Sequence, residues 1–174
     1  MSNDWFEEFH NALDAWDKKF IVTSPDVDGL LSASLMCSQF DAKLIGVYTT
    51  SHLVLFDGFT AEAAKQALWV DHDISHPDII CMGQHLVRIQ VDDKIPTRHT
   101  STFNPNLIWP VAWENCFNGR QVNKVDKYPF ATIHYLMRGL EIPDPPSNST
   151  AYSLLTHADG TWVTSYDYPY NCHQ

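Results

Sequence analysis

Two aspartates, Asp26 and Asp28, lie one residue apart in the stretch "FIVTSPDVDGLLSASLM", between an apolar run and a helix-like run. Residues two apart in an extended segment point the same way, so both carboxylates are expected to project from the end of the first strand. Carboxylates this close repel each other and are costly to remove from water. A divalent cation bound between them would explain why the pair is tolerated.

Acidic residues also follow two later strand-like stretches. Asp57 follows the apolar run in "LVLFDGF", and the cluster Asp71-His72-Asp73 follows the one in "LWVDHDI". In open α/β sheets, ligands bind at the carboxyl ends of the strands. Aspartate is also common in turns and helix caps, which explains any one of these residues well but the whole set less well. Hard divalent cations prefer oxygen ligands, and one imidazole favours Mn²⁺.

Short apolar strands alternate with helical segments through the first half of the chain. The pattern predicts strands at 18–24, 42–49, 52–57, 68–71 and 78–91, and helices at 4–18, 28–40, 60–67 and 128–142. Residues 150–162 fit either a helix or a strand running into a turn. The alternation predicts an α/β fold in which a parallel sheet is covered by helices on both faces.

Length and charge limit the kind of protein this can be. The 174 residues suit a single domain, in which 1–90 carries the metal motifs, 91–127 is rich in loops, and 128–174 forms a helix and a tail. The formal net charge of -10 does not attract nucleic acid by charge alone. Such a substrate would need a local cationic site or bound metal ions.

The cysteines and the N-terminus indicate a compartment. Four scattered cysteines without a C-x-x-C pair argue against a structural zinc site and against a disulfide framework. No apolar run is long enough to span a bilayer, and "MSNDWFEEFH" does not have the pattern of a signal peptide. The sequence therefore predicts a cytoplasmic protein with free thiols.

Three motifs in order, "SPDVDGLLSASL", "LVLFDG" and "LWVDHD", resemble the DHH phosphoesterase superfamily over residues 18–90. The resemblance continues weakly through "KYPFATIHYLMRGL" to "HADGTW". It implies a DHH-type catalytic domain without the C-terminal substrate domain. It also implies a divalent-metal-dependent phosphoesterase that hydrolyses a phosphodiester or phosphomonoester of a nucleotide or short nucleic acid, with two Mn²⁺ or Mg²⁺ ions activating water.

The resemblance also assigns roles to individual residues. Asp26 would bind one ion, Asp28 the other, and Asp57 would bridge both. The full set of implied metal ligands is Asp26, Asp28, Asp57, His72 and Asp159. Asp71 would orient His72 without binding the ion itself. The implied catalytic residues are Asp57, His72 and Asp73.

Three positions depart from the family pattern. Val22 replaces a histidine, Ser24 replaces an aspartate of the exonuclease branch, and Asp73 replaces the second histidine, which faces the substrate phosphate in the family. These departures favour a second hypothesis, a non-catalytic, degenerate DHH-like binding or assembly module. A homo-oligomer or a partner protein would then replace the C-terminal domain. A plain structural α/β domain with acidic turns is the third hypothesis.

Several further residues lie near these motifs in the sequence. His76, His85 and His99 are candidates for the missing ligands, and His85 is the strongest because it lies on a predicted strand close to the Asp-His-Asp cluster. Asn104 and Asn106 in "TFNPN" fit a turn better than a ligand site. The few cations available to a phosphate are Arg98, Arg120 and Lys124.

Overall fold

The computed structural model describes residues 3–49, 51–74, 78–85, 103–105, 128 and 130–160. Its helices are α1 (Asn3–Ala15), α2 (Val27–Phe40), α3 (Ala61–Lys65), α4 (Thr132–Gly139) and α5 (Thr150–His157). Its strands are β1 (Phe20–Thr23), β2 (Lys43–Tyr48), β3 (Leu53–Leu55), β4 (Leu68–Val70) and β5 (Ile80–Met82). A 3-10 turn, Ala158–Gly160, follows α5. Each predicted strand and helix has a counterpart, and the ambiguous segment after residue 150 begins as a helix.

The five strands form one mixed sheet in the order β3-β2-β1-β4-β5. β1 is parallel to both β2 and β4, and β4 is parallel to β5, whereas β3 runs antiparallel to β2. The prediction of an entirely parallel sheet is therefore wrong for β3. Only four residues separate β2 from β3, and the Thr49 N–H donates to the His52 carbonyl. A connection this short permits only antiparallel pairing.

The direction of β3 changes the position of Asp57. Leu55 pairs with Gly46, and the Phe56 N–H donates to the Ile45 carbonyl, so the chain after β3 runs toward the start of β2. Asp57 therefore lies in an exposed turn at the edge opposite to the carboxyl ends of β1 and β4. The prediction that all three acidic strand ends meet at one edge is wrong for this residue.

Helices cover both faces of the sheet, as predicted. Alternate residues along a strand face opposite sides, so each strand contributes to two cores. The side chains of Ile21, Leu68, Val70 and Met82 pack with α1, α2 and α4. The side chains of Val22, Trp69 and Cys81 lie on the opposite face, with Ala64 of α3. A third cluster joins α2, α4 and α5.

The short segment 103–105 extends the sheet beyond β5. The Phe103 N–H donates to the Cys81 carbonyl at 2.9 Å, and the Phe103 carbonyl accepts from the Gly83 N–H at 3.3 Å. The fully buried Phe103 ring packs edge-on against Trp5 and Phe9 of α1. This part of the region predicted as loops is therefore anchored in the core.

The described part of the chain contains no helix that is both long enough and apolar enough to cross a bilayer. Two cysteines lie in this part, and both Cys37 and Cys81 are free thiols. Burial raises the pKa of the Cys81 thiol to about 12, so it stays protonated at neutral pH. Cys116 and Cys172 lie outside the described residues.

We expect acid to destabilise the fold partly through His134 of α4. Burial lowers the pKa of His134 below its ordinary 6.5, so the folded protein holds this ring neutral. Below pH 6.5 this histidine is protonated in the unfolded chain but stays neutral in the folded protein. The free energy of unfolding therefore decreases as pH falls from 6.5 toward the folded-state pKa. Urea unfolding across pH 5–7 should show a flatter pH dependence for His134→Gln than for wild type. The same substitution at the exposed His52 is the control for the loss of a histidine side chain. Equal slopes for wild type and His134→Gln would contradict this assignment.

Candidate metal centre

The carboxyl ends of β1 and β4 meet at a switch in the topology of the sheet. From β1 the chain passes through α2 to β2 on one side, and it later returns through α3 to β4 on the other side. The two helices lie on opposite faces, which leaves a crevice between the two strand ends. Ligands of open α/β sheets bind at this kind of crevice. Ser24 and Asp26 follow β1 here, and Asp71 follows β4.

The carboxylate of Asp71 has three hydrogen-bonding partners in this crevice. Asp71 is buried, with 1% of its surface exposed to solvent. Oδ2 accepts a hydrogen bond from the Ser24 hydroxyl at 2.6 Å, and Oδ1 accepts one from the Thr132 hydroxyl at 2.8 Å. The same Oδ1 lies 3.1 Å from Nε2 of His85. Three different segments of the chain therefore converge on one side chain.

The surroundings of Asp71 keep its carboxyl group ionised. Burial acts to raise the pKa, but the hydrogen bonds from His85, Ser24 and Thr132 and the charge of His85 bring it below the usual value. The backbone of Asp71 is left-handed, with φ of 60°. Such a conformation is unfavourable for most residues and concentrates at functional sites, although aspartate tolerates it better than most.

Asp28 is buried close to Asp71, but its carboxylate oxygens cap the N-terminus of α4. Oδ2 accepts from the Thr132 N–H at 2.7 Å, and Oδ1 accepts from the Ile133 N–H at 2.9 Å and from the Ser32 hydroxyl at 3.3 Å. The residue before α4, Ala131, has no side chain able to cap the helix. Asp28 therefore caps α4 from a distant part of the sequence, which differs from the free metal ligand implied by the resemblance.

The electrostatics of Asp28 reflect this crowded position. Burial, followed by the charge of Asp71, raises the pKa of Asp28 to about 8, while the Ile133 N–H acts to lower it. No lysine or arginine of the described residues forms an ion pair with Asp26, Asp28 or Asp71. Within the described part of the chain, the negative charge of these carboxylates is therefore left to protons, to the His85 ring or to a bound cation.

His85 reaches Asp71 because the chain after β5 passes very close to the backbone of His72. A Cβ atom on Gly83 would lie 2.7 Å from the carbonyl carbon of His72, so only glycine permits this approach. Two residues later, the His85 carbonyl accepts from Nδ2 of Asn104 at 2.8 Å. The backbone of His85 is thus held on one side, and its ring contacts Asp71 on the other.

Asp159 completes a group of three potential ligands. It lies in the 3-10 turn after α5, in a left-handed conformation with φ of 49°, and its Oδ2 accepts from Nε2 of Gln84. One ligand atom from each of Asp71, His85 and Asp159 lies within 4.8 Å of the other two. Mg²⁺ and Ca²⁺ bind their ligands at about 2.0–2.6 Å, so ligands of one ion lie at most about 5 Å apart. The group has the dimensions and the donor types of a site for one divalent ion.

Asp26 lies at the rim of the same crevice. Its Oδ1 accepts from the Gly29 N–H at 2.9 Å, which caps α2, and it also lies 2.9 Å from the Ser24 hydroxyl. This hydroxyl also contacts Asp71, yet it has one hydrogen to donate. The second carboxylate contact of Ser24 therefore lacks a proton unless one carboxyl group is itself protonated. Asp26 is exposed and adds negative charge beside the three-ligand group.

The side chains of His72 and Asp73 lie apart from the three-ligand group. The His72 ring packs edge-on against Tyr48 and Trp69, and burial lowers its pKa. Its Nε2 is buried without a hydrogen-bond partner in the described part of the chain. Oδ2 of Asp73 accepts from Nδ2 of Asn104 at 2.6 Å, and burial raises the pKa of this carboxyl group. Neither residue belongs to the three-ligand group.

The chain was compared with known proteins at three levels. No family model, no curated protein and no solved structure matches it.

The sequence located part of this centre. The resemblance implies Asp159 as a ligand and Asp71 as support for one, His85 is a candidate replacement ligand, and the structure brings these three residues together. It does not bring Asp57 to them. Thr132 and Gln84 are not predicted from the sequence, and Asn104 is predicted to lie in a turn. The only signal for these residues is that buried carboxylates require donors. His76, His99, Arg98, Arg120 and Lys124 lie outside the described residues.

Proposed function

We propose that this protein is a divalent-metal-dependent phosphoesterase, which hydrolyses a phosphodiester or phosphomonoester of a nucleotide or short nucleic acid. The observation that carries the proposal is the convergence of Asp71, His85 and Asp159 within 4.8 Å at the topological switch of the sheet. Two carboxylates and one imidazole fit Mn²⁺, or Mg²⁺ with water completing its shell. The resemblance of the three acidic motifs to the DHH phosphoesterase superfamily supports the same class of chemistry.

The residues of the chain have distinct roles in this proposal. Asp71, His85 and Asp159 would hold the ion, which would supply Lewis-acid stabilisation of a phosphoryl oxygen and activation of water. The Ser24 and Thr132 hydroxyls fix the Asp71 carboxylate through the two contacts described above. Burial of Asp71 keeps water away from one side of the centre and strengthens its electrostatic interactions.

A second candidate is a binding or assembly module that holds one ion without catalysis. The position of Asp57 and the state of Asp28 favour it. Asp57 is exposed at the opposite edge, and both oxygens of Asp28 already accept backbone N–H groups. The described residues thus offer one group of ligands that could hold a single ion, whereas phosphoester hydrolysis commonly uses two ions. In this candidate, a second copy or a partner protein would complete the surface.

Hydrolysis assays with matched variants distinguish the two candidates. Protein treated with chelator and then supplied with Mn²⁺ or Mg²⁺ is tested on p-nitrophenyl phosphate, bis-p-nitrophenyl phosphate and a short oligonucleotide. We expect metal-dependent turnover that Asp159→Asn reduces by about 100-fold or more, because a ligand is lost. Asp57→Asn makes the same chemical change away from the centre and should keep full activity. Metal binding without turnover would favour the module, and loss of activity only in Asp57→Asn would contradict the proposed centre.

A further inference from the structure

Asn104 lies between two groups at the back of the metal centre. It is fully buried, with 0% of its surface exposed. Its Nδ2 donates to Oδ2 of Asp73 at 2.6 Å and to the backbone carbonyl of His85 at 2.8 Å. An amide nitrogen has two hydrogens, so these contacts use its full donor capacity. One side chain thus links the Asp-His-Asp cluster to the segment that carries His85.

The backbone next to Asn104 is itself fixed. Phe103 pairs with the backbone of Cys81 and Gly83, and its ring fills the core between Trp5 and Phe9. Asn104 therefore projects from an anchored strand-like segment. A loop residue on the surface would not hold a neighbour in this way.

We propose that Asn104 is a positioning residue that sets the orientation of His85 for metal binding. This inference rests on the proposed function, because it assigns His85 as a ligand. Asn104 holds the His85 carbonyl while Asp71 holds the ring at 3.1 Å, and two fixed points leave the imidazole little freedom. Residues outside the first coordination sphere act in this manner in metal sites. Asn104 also keeps the Asp73 carboxylate engaged, so that it does not compete for the ion.

The alternative is that Asn104 only satisfies buried polar groups and has no effect on the ion. Two variants separate these roles. Asn104→Asp is almost identical in shape but loses both donors, and it brings a carboxylate next to Asp73 and to the His85 carbonyl. The exchange Asp73→Asn with Asn104→Asp restores a hydrogen bond between the two side chains but leaves the His85 carbonyl facing an oxygen. Asn148→Asp, in an exposed loop, is the control for the change of charge.

Mn²⁺ affinity and the NMR signals of the His85 ring are measured for each folded protein. We expect Asn104→Asp and the exchange to bind Mn²⁺ about 10–100-fold more weakly than wild type, as is usual for such partners of a ligand. The exchange should recover thermal stability relative to Asn104→Asp without recovering affinity. In metal-free protein, both variants should shift the His85 ring signals, and Asn148→Asp should not.

Wild-type affinity in the exchange variant would overturn the inference, as would His85 ring signals unchanged from wild type. If wild type itself binds no Mn²⁺, the proposed function fails. The ring signals of the metal-free variants then decide alone whether Asn104 orients His85. If Asn104→Asp does not fold, the exchange variant carries the test.

Discussion

Asp71→Asn should abolish high-affinity Mn²⁺ binding and also destabilise the metal-free protein. The lowered pKa of Asp71 means that its ionised form is favoured by the fold, so this carboxylate stabilises the protein at neutral pH. An asparagine keeps one acceptor oxygen but presents an NH₂ group to the donors Ser24, Thr132 or His85. We expect a loss of about 2–4 kcal/mol in the free energy of unfolding, from buried donors left unpaired. Urea denaturation and Mn²⁺ titration calorimetry measure the two effects.

Asp41→Asn is the matched control for this change. Asp41 also has a left-handed backbone, with φ of 53°, but it is exposed at the end of α2. Asparagine tolerates this conformation, so the control tests the same substitution without the buried contacts. Equal stability and equal Mn²⁺ affinity for Asp71→Asn and Asp41→Asn would show that Asp71 has no special role.

Asp28→Ala should destabilise the fold more than the loss of an ordinary helix cap. Alanine leaves the N–H groups of Thr132 and Ile133 buried without an acceptor, at an expected cost of about 3–5 kcal/mol. At pH 6, below its pKa of about 8, the carboxyl group of Asp28 is mainly neutral and repels Asp71 little. The substitution therefore relieves little charge repulsion, and the measured loss of stability reflects the unpaired N–H groups. Chemical denaturation at pH 6 measures the difference.

Ser149→Ala provides the comparison for Asp28→Ala. Ser149 caps α5 by accepting from the Tyr152 N–H at 3.1 Å, in a hydrogen bond that is exposed to solvent. Loss of such a local cap costs about 1 kcal/mol. Hydrogen exchange should also show that Asp28→Ala exposes the first turn of α4. If Asp28→Ala is no more destabilising than Ser149→Ala, the cap across the fold contributes little.

The strands and their acidic ends could be predicted because the signals are local. An apolar run followed by aspartate marks the end of β1 and of β4, and strand direction then places Asp26 and Asp71 at one edge. The direction of β3 was misjudged because an apolar run carries no direction of its own. The information lay in the four residues between β2 and β3, which are too few for a parallel crossover.

Contacts between distant segments could not be predicted, because no local sequence pattern marks them. Thr132 N–H binds Asp28 across 104 residues, and nothing in "FATIHY" identifies that threonine as a partner. The Asn-Pro pair predicts a turn at Asn104, because Asn-Pro usually forms turns. Its burial follows from the packing of Phe103, which depends on α1 near the start of the chain.

Anomalous diffraction from crystals of the wild-type protein soaked in Mn²⁺ tests the central claim most directly. We predict one strong manganese peak within bonding distance of Asp71, His85 and Asp159, which disappears in Asp159→Asn crystals treated in the same way. A peak held by Asp57, or the absence of a peak at the ends of β1 and β4, would contradict the metal centre described above.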